Sequence, residues 1–328
     1  MEQPAAARQA LETRTPVRIG ISSCLLGNNV RFDGGHKKDP FLVETFGRFV
    51  EWVAVCPEVE MGLGTPRETL RLERRGGLVR LVMPKSGADH TDAMRAWAGK
   101  RLDQLSEADL SGFVLKKDSP SCGMERVKLY DENGGPARTG RGVFAEALLR
   151  RFPTLPVEEE GRLGDMRLRE NFVNRIFAYH RLTAFFSARW TLGGLVAFHT
   201  AHKLLLMAHS PAAYQSLGRL VARAKGRPRQ PLHHAYQRAF MDALARPAAR
   251  KRHTNLLQLM VGYCSKQLSV DERQELAGLI EDYRRGLVPL VVPLTLVRHH
   301  VRRFDVRYLR GQVHLEPHPK ELMLLNHV

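Results

Sequence analysis

Short apolar runs alternate with amphipathic stretches in the first half of the chain. VRIGISS at 17–23, WVAV at 52–55, GGLVRLVMP at 76–84 and GFVLK at 112–116 are rich in branched apolar residues and too short for helices, so they predict strands. Pro57 cannot donate to a ladder, so the second strand must stop before it. DPFLVETFGRFVEW at 39–52 carries Phe41, Leu42, Thr45, Phe46 and Phe49 on one helical side. HTDAMRAWAGKRLDQLSEADL at 90–110 has a longer helical period, with Thr91 as its expected N-cap. A short strand, a Gly-rich turn, a helix and a last strand ending near Val157 complete this half. Strands alternating with helices predict an α/β domain with a mostly parallel sheet in three layers.

From about residue 165 the period becomes helical throughout. Gly and Pro punctuate the pattern at 193–194, 211, 226–231, 247 and 286, and TLGGLVAFHTAHKLLLMAHS at 191–210 reads as one segment. An all-α bundle of six or seven helices is expected. The expected organisation is a disordered tail at 1–16, an α/β domain at 17–160 and an all-helical domain at 161–328.

Charge separates the same two halves. The composition, 43% hydrophobic and 26% charged, is that of a globular chain able to bury a core. The net charge is +17, and it is not shared evenly. Residues 1–160 hold 24 Lys+Arg and 23 Asp+Glu (24 − 23 = +1), whereas 161–328 hold 27 and 11 (27 − 11 = +16). A coding bias toward Arg would raise both halves, so the asymmetry points to a polyanion-binding helical domain. No segment reaches the ~18 apolar residues that a membrane span needs, and residues 1–16 lack the apolar core of a secretory signal. Four cysteines in 328 residues do not make a disulfide scaffold, and the expected compartment is the reducing cytoplasm.

Three of those cysteines share a setting. Cys24, Cys56 and Cys122 each follow an apolar strand-like run and open a loop of Gly, Pro and charged residues. Ligands of parallel α/β sheets bind beyond the carboxyl ends of the strands, so neighbouring strands would bring the three sulfurs together as ligands of one inorganic centre. A cubane cluster normally takes four Cys, and three would leave one iron open for a substrate atom. Spacing alone is met equally by three ordinary buried thiols. Cys264, on the apolar face of LLQLMVGYC, reads as a core residue.

The loops around these cysteines also carry a resemblance. S-x-C-L-L-G with V-R-F-D-G-G-H-K, C-P-E-V-x-x-G-L-G-x-P-R, and K-x-x-S-P-S-C-G resemble the thiouracil desulfidase family over roughly 18–157. The resemblance implies an oxygen-sensitive [4Fe-4S] cluster held by Cys24, Cys56 and Cys122, with an open fourth iron that takes the sulfur of a thiocarbonyl. The basic half, ending HLEPHPKELMLLNHV, is similar to the domain fused to such desulfidases in bacterial tRNA 4-thiouridine desulfidases. It implies tRNA as partner and conversion of a thiolated pyrimidine, 4-thiouridine, to uridine.

Exchanging C=S for C=O needs a thiophilic Lewis acid, a water, and a carboxylate that takes and returns a proton. Glu58, two residues after Cys56, is the candidate, and it matches an acidic position of the family; a Glu at a helix start would look the same. Ser119 or Ser121 would orient that base or stabilise an oxyanion, or simply hold a Ser-Pro-Ser turn. Gly62 and Gly64 are expected to let backbone approach the site closely, and Arg67 to meet a substrate phosphate or pair with Glu58. Asp33, His36 and Lys37 are candidates for base or backbone recognition. In the helical half, phosphate contact is expected at three clusters: Arg219, Arg223, Lys225, Arg227 and Arg229; Arg250, Lys251 and Arg252; Arg298, Arg302, Arg303, Arg307 and Arg310. His199, His202 and His209 have no Cys or carboxylate at ligand spacing, so packing or RNA contact is expected of them. Two other readings stay open: a desulfidase of free thiopyrimidines, and a nucleic-acid-binding redox sensor, which would have no use for Glu58 beside an open iron.

Overall fold

The computed structural model describes residues 16–328, so the tail expected at 1–16 lies, except for Pro16, outside the described residues. The chain divides into two compact units, one running to Asp165 and the other Met166–Val328.

The first unit contains, in order, β1 (Arg18–Ser22), β2 (Glu51–Val55), α1 (Pro57–Glu60), β3 (Arg71–Arg75), β4 (Leu78–Val82), α2 (Thr91–Ser106), β5 (Leu110–Leu115), β6 (Val127–Tyr130), β7 (Pro136–Gly140), α3 (Val143–Arg151) and β8 (Val157–Glu159). Four strands form a fully parallel sheet in the order β2-β1-β5-β8. Every residue of β5 is buried, as a central parallel strand covered on both faces requires. Gly20 of β1 lies against Phe113 of β5, where an added Cβ would sit 2.2 Å from the ring. The α2 helix buries Met94, Ala98, Leu102 and Leu105, which recur at helical spacing along one face. Phe144 of α3 packs its ring 5.6 Å from Trp97 and 5.9 Å from Phe113, so both helices share one core with the sheet. Fully burying each of these Phe side chains contributes roughly 1.5–3 kcal/mol.

A second sheet, in the order β4-β3-β6-β7, was not visible in the pattern of apolar residues. The strand expected at 76–84 forms, but it belongs to this sheet and pairs antiparallel with β3. The β3 sequence RLERR has one apolar residue, and Glu73 is accommodated because Arg71 and Arg75 both pair with it, at 2.6 and 2.7 Å. The amphipathic helix expected at 39–52 is corrected to a π-helical turn at Phe41–Thr45 followed by a 3-10 turn at Phe46–Arg48. The widened turn brings Phe41 over Phe46, five residues on, with ring centroids 5.9 Å apart and planes within 10°. Thr91 is not an N-cap either: His90 takes that position. The Thr91 hydroxyl instead accepts from Leu81 N–H (2.8 Å) and donates to Asp89 (2.5 Å), tying α2 to β4.

The second unit contains α4 (Met166–Ser187), α5 (Leu192–Ala201), α6 (Lys203–His209), α7 (Pro211–Ala222), α8 (Arg229–Leu244), α9 (Arg250–Cys264), α10 (Val270–Arg285), α11 (Val291–Arg303) and the single turn α12 (Arg307–Arg310). It is therefore all-helical, with eight longer helices among the described residues where six or seven were expected. The extra one arises at 191–210, which breaks at His202. That fully buried ring stacks on Phe198 at 4.1 Å and bonds the Phe198 carbonyl at 2.8 Å. The interior is aliphatic around Leu204, Leu257, Met260, Leu294 and Val297. Among the described residues no helix is long and apolar enough to cross a membrane.

Candidate active site

The carboxyl ends of three adjacent strands supply the three cysteines. Cys24 sits in the 3-10 turn Ser23–Leu26 directly after β1, Cys56 follows β2, and Cys122 follows β5 after a six-residue loop segment. Pro57 at the first position of α1 ends β2 and turns the chain at Cys56. The Cys122 loop is fixed by Ser119, whose hydroxyl accepts from the N–H groups of Ser121 (3.3 Å) and Cys122 (3.1 Å). The free N–H groups at the start of α3 close on the same loop: Phe144 and Ala145 donate to the Ser121 carbonyl at 3.0 and 3.1 Å. Such closeness requires glycine at 142, where a Cβ would lie 2.4 Å from that carbonyl oxygen.

All three sulfur-bearing residues line one cavity of about 390 Å³, together with Glu58, Arg67, Lys37 and Ser119. Cys24 and Cys122 are buried and Cys56 is half-buried. Burial pushes the Cys24 thiol up to about 11, opposed by the nearby Lys116 ammonium. Burial also raises Cys56 and Cys122; a charge on Cys56 would raise Cys24 and Cys122 further, and one on Cys24 would raise Cys122. Among the described residues no group of three or more His, Cys, Asp or Glu is placed to hold a single metal ion. Three thiols spread around a cavity could each serve a different iron of a polynuclear, thiophilic centre.

Glu58, with its side chain 15% exposed, is held from two sides. Ser121 Oγ donates to Oε1 at 2.7 Å, and Arg67 donates to Oε2 through Nε (3.0 Å) and Nη2 (2.5 Å). Arg67 spends its remaining donors on the carbonyls of Val30 (3.0 Å) and Gly64 (2.8 Å) and on Thr65 Oγ1 (3.3 Å). Of the two expectations for Arg67, pairing with Glu58 is what forms, and no N–H is left for a phosphate. Ser119 and Ser121 divide the two tasks foreseen for them: Ser119 builds the turn and Ser121 touches the carboxylate.

Other candidates fall differently. Lys37 lines the cavity, whereas Asp33 and His36 do not. Asp33 accepts from Gly35 N–H (3.0 Å) and pairs with Arg31 (3.4 Å), and His36 accepts from Lys38 N–H (3.2 Å), so both organise their own loop. Gly62 and Gly64 have φ of +100° and +71° with open space where a Cβ would be; the turn needs their left-handed backbone, not close approach. Two cavity residues were quoted in motifs but given no role. Lys116 pairs with Glu160, and the Ser22 hydroxyl accepts from Lys116 N–H (2.9 Å). Nothing local marks either one, because their partners are remote in sequence.

In the helical unit, His199, His202 and His209 are interior, and burial lowers all three pKa values. Cys264 lies in the aliphatic core. Arg250 and Arg252 are half-buried, Arg252 bonding the His209 carbonyl, so they are packing residues more than a phosphate cluster. The cluster from Arg219 to Arg229 is exposed.

Comparisons agree with this division. Residues 19–160 match the family model of 2-thiouracil desulfurase, and residues 203–319 match that of a protein of unknown function, DUF1722. The uncharacterized protein YbgA of Escherichia coli K12 is 33% identical over 159 residues, covering 48% of this chain and 94% of its own length. The uncharacterized protein YbbK of Bacillus subtilis 168 is 34% identical over 140 residues, covering 40% of this chain and 88% of its own. A solved [4Fe-4S]-dependent thiouracil desulfidase, TudS, is 34% identical, covering 47% of this chain and 97% of that one, with a TM-score of 0.38. The chain belongs to the 2-thiouracil desulfurase family through its α/β unit, which it joins to a DUF1722 domain.

Proposed function

We propose that this chain is an iron–sulfur desulfidase that converts 4-thiouridine in tRNA to uridine, with hydrolytic release of sulfide. The observation that carries it is the meeting of three thiols and one oriented carboxylate on a single cavity. Cys24, Cys56 and Cys122 would hold a [4Fe-4S] cluster; the fourth cysteine, Cys264, is a core residue elsewhere, so the chain would offer the fourth iron no thiolate. When bound, the cluster supplies a thiophilic Lewis acid for the sulfur of the thiocarbonyl.

Glu58 supplies the proton transfer. A carboxylate has about four acceptor sites; Arg67 fills two on Oε2 and Ser121 one on Oε1. The last site on Oε1 is open for a water, whose proton Glu58 takes as the water adds to the pyrimidine carbon and later returns. Ser121 and Arg67 keep the carboxylate in one orientation throughout. The thiols need a reducing compartment, so the reading places the enzyme in the cytoplasm.

The basic helical unit favours tRNA as the carrier of the base, since remote phosphate contacts can offset the cost of exposing a stacked nucleotide. Free thiopyrimidines are the second reading, favoured by the match of residues 19–160 to the 2-thiouracil desulfurase family model. Anaerobically reconstituted protein is incubated with bulk tRNA, and the nucleosides are quantified by mass spectrometry. Loss of 4-thiouridine with matching sulfide supports the proposal; unchanged thionucleoside alongside turnover of free 4-thiouracil selects the second reading.

A further inference from the structure

Tyr263, on the last turn of α9, is 41% exposed, unusual for so large a ring beside a packed core. Its ring stacks on Tyr308 of α12, with centroids 5.0 Å apart and planes 28° from parallel. Near them stands Lys203, with its Nζ 5.3 Å from the Tyr308 ring centroid and 5.9 Å from that of Tyr214. The result is a stacked pair of rings with a cation near the inner one, open to solvent at Tyr263. We infer that Tyr263 and Tyr308 form a stacking platform for a tRNA nucleobase, an inference that rests on the tRNA reading above.

Three features favour RNA as the occupant. Aromatic side chains take unstacked bases on their faces, in a way that tolerates any base. Exposed cations flank both rings in sequence: Lys266 three residues after Tyr263, and Arg307 next to Tyr308. The acid on that segment, Asp305, is paired with Arg310 at 2.6 Å and lies 3.9 Å from Arg307. Leu259, 37% exposed and one turn before Tyr263, extends the apolar character of this face and would also suit a second copy of the chain. A second copy, however, would bring its own +16 (27 − 11, residues 161–328) toward the first, whereas RNA is complementary to it.

The full-length reconstituted protein is titrated with an unmodified tRNA transcript by fluorescence anisotropy at several salt concentrations. Tyr263→Ala is expected to weaken binding by on the order of tenfold, with an unchanged slope of log affinity against log salt, because stacking releases no counterions. Tyr263→Trp is expected to keep wild-type affinity and to show quenching on tRNA addition beyond that of wild type. Equal binding by wild type and Tyr263→Ala, or an unquenched Trp in a saturated complex, would overturn the platform while leaving the tRNA reading intact. Loss of self-association in Tyr263→Ala would assign the face to a second copy instead. Failure of the wild type to bind tRNA would remove the substrate reading itself.

Discussion

In the proposed reaction Glu58 is the residue on which the chemistry turns, and its surroundings make the test clean. Glu58→Gln keeps the size of the side chain and leaves the three thiols in place, so the cluster absorbance after anaerobic reconstitution is expected to match wild type. Turnover is expected to fall by about 10²–10⁴-fold, the usual worth of a positioned acid–base group; wild-type turnover would remove Glu58 from the mechanism. The two serines separate in a parallel experiment. Ser121→Ala deletes a donor to the carboxylate (2.7 Å) and is expected to lower kcat with iron content unchanged. Ser119→Ala frees two loop N–H groups and is expected to lower iron content instead. At this scale the sequence was informative about which residues line the cavity and silent about their pairing. Glu58 and Ser121 are 63 positions apart, and no local pattern relates them.

Among the elements, what was legible depended on how each one meets water. Strands β1 and β5 are apolar because both sheet faces are covered, and a run of apolar residues records that directly. Strands β3 and β7, RLERR and PARTG, satisfy their charges in pairs or in solvent and leave no such record. The segment 39–52 had a helical period, yet Phe41, Phe46 and Trp52 pack as a wider turn, a choice made by ring contacts. Local backbone contacts are equally decisive at the Cys122 loop. Gly142→Ala would drive a Cβ to 2.4 Å from the Ser121 carbonyl, where overpacking costs about 1–3 kcal/mol. A lower thermal midpoint together with reduced iron per chain is the expected result. In the helical unit, α10 carries a full capping box between Ser269 and Glu272. Ser269→Ala is expected to cost about 1 kcal/mol in urea unfolding.

For the molecule as a whole, the helical unit holds a set of histidines that folding keeps neutral. Burial lowers His199 and His314 to about 4, and pushes His202 and His253 well below the ordinary range. In the unfolded chain they titrate near ~6.5. Between about 4 and 6.5 the unfolded state therefore binds more protons, so stability is full above this window and is lost as pH falls through it. The urea midpoint followed by far-UV circular dichroism is expected to drop clearly from about pH 7.5 to about pH 5; a flat profile would mean these rings are hydrated in the folded unit.

The sequence by itself determined the two-part plan, the central parallel strands, the three thiols at strand ends and the carboxylate beside one of them. It could do so because burial of short segments and the placement of charge are written locally, in period and composition. Tertiary structure alone decided that the three loops face one cavity, that Arg67 serves Glu58 and has no donor left for a phosphate, and that the charged runs 71–75 and 136–140 become strands. It also decided that His199 and Arg252 turn inward while Tyr263 turns out. Each of these is a pairing between groups distant in the chain, fixed by which donors, acceptors and rings find one another once the core has formed, and such pairings have no periodicity to read.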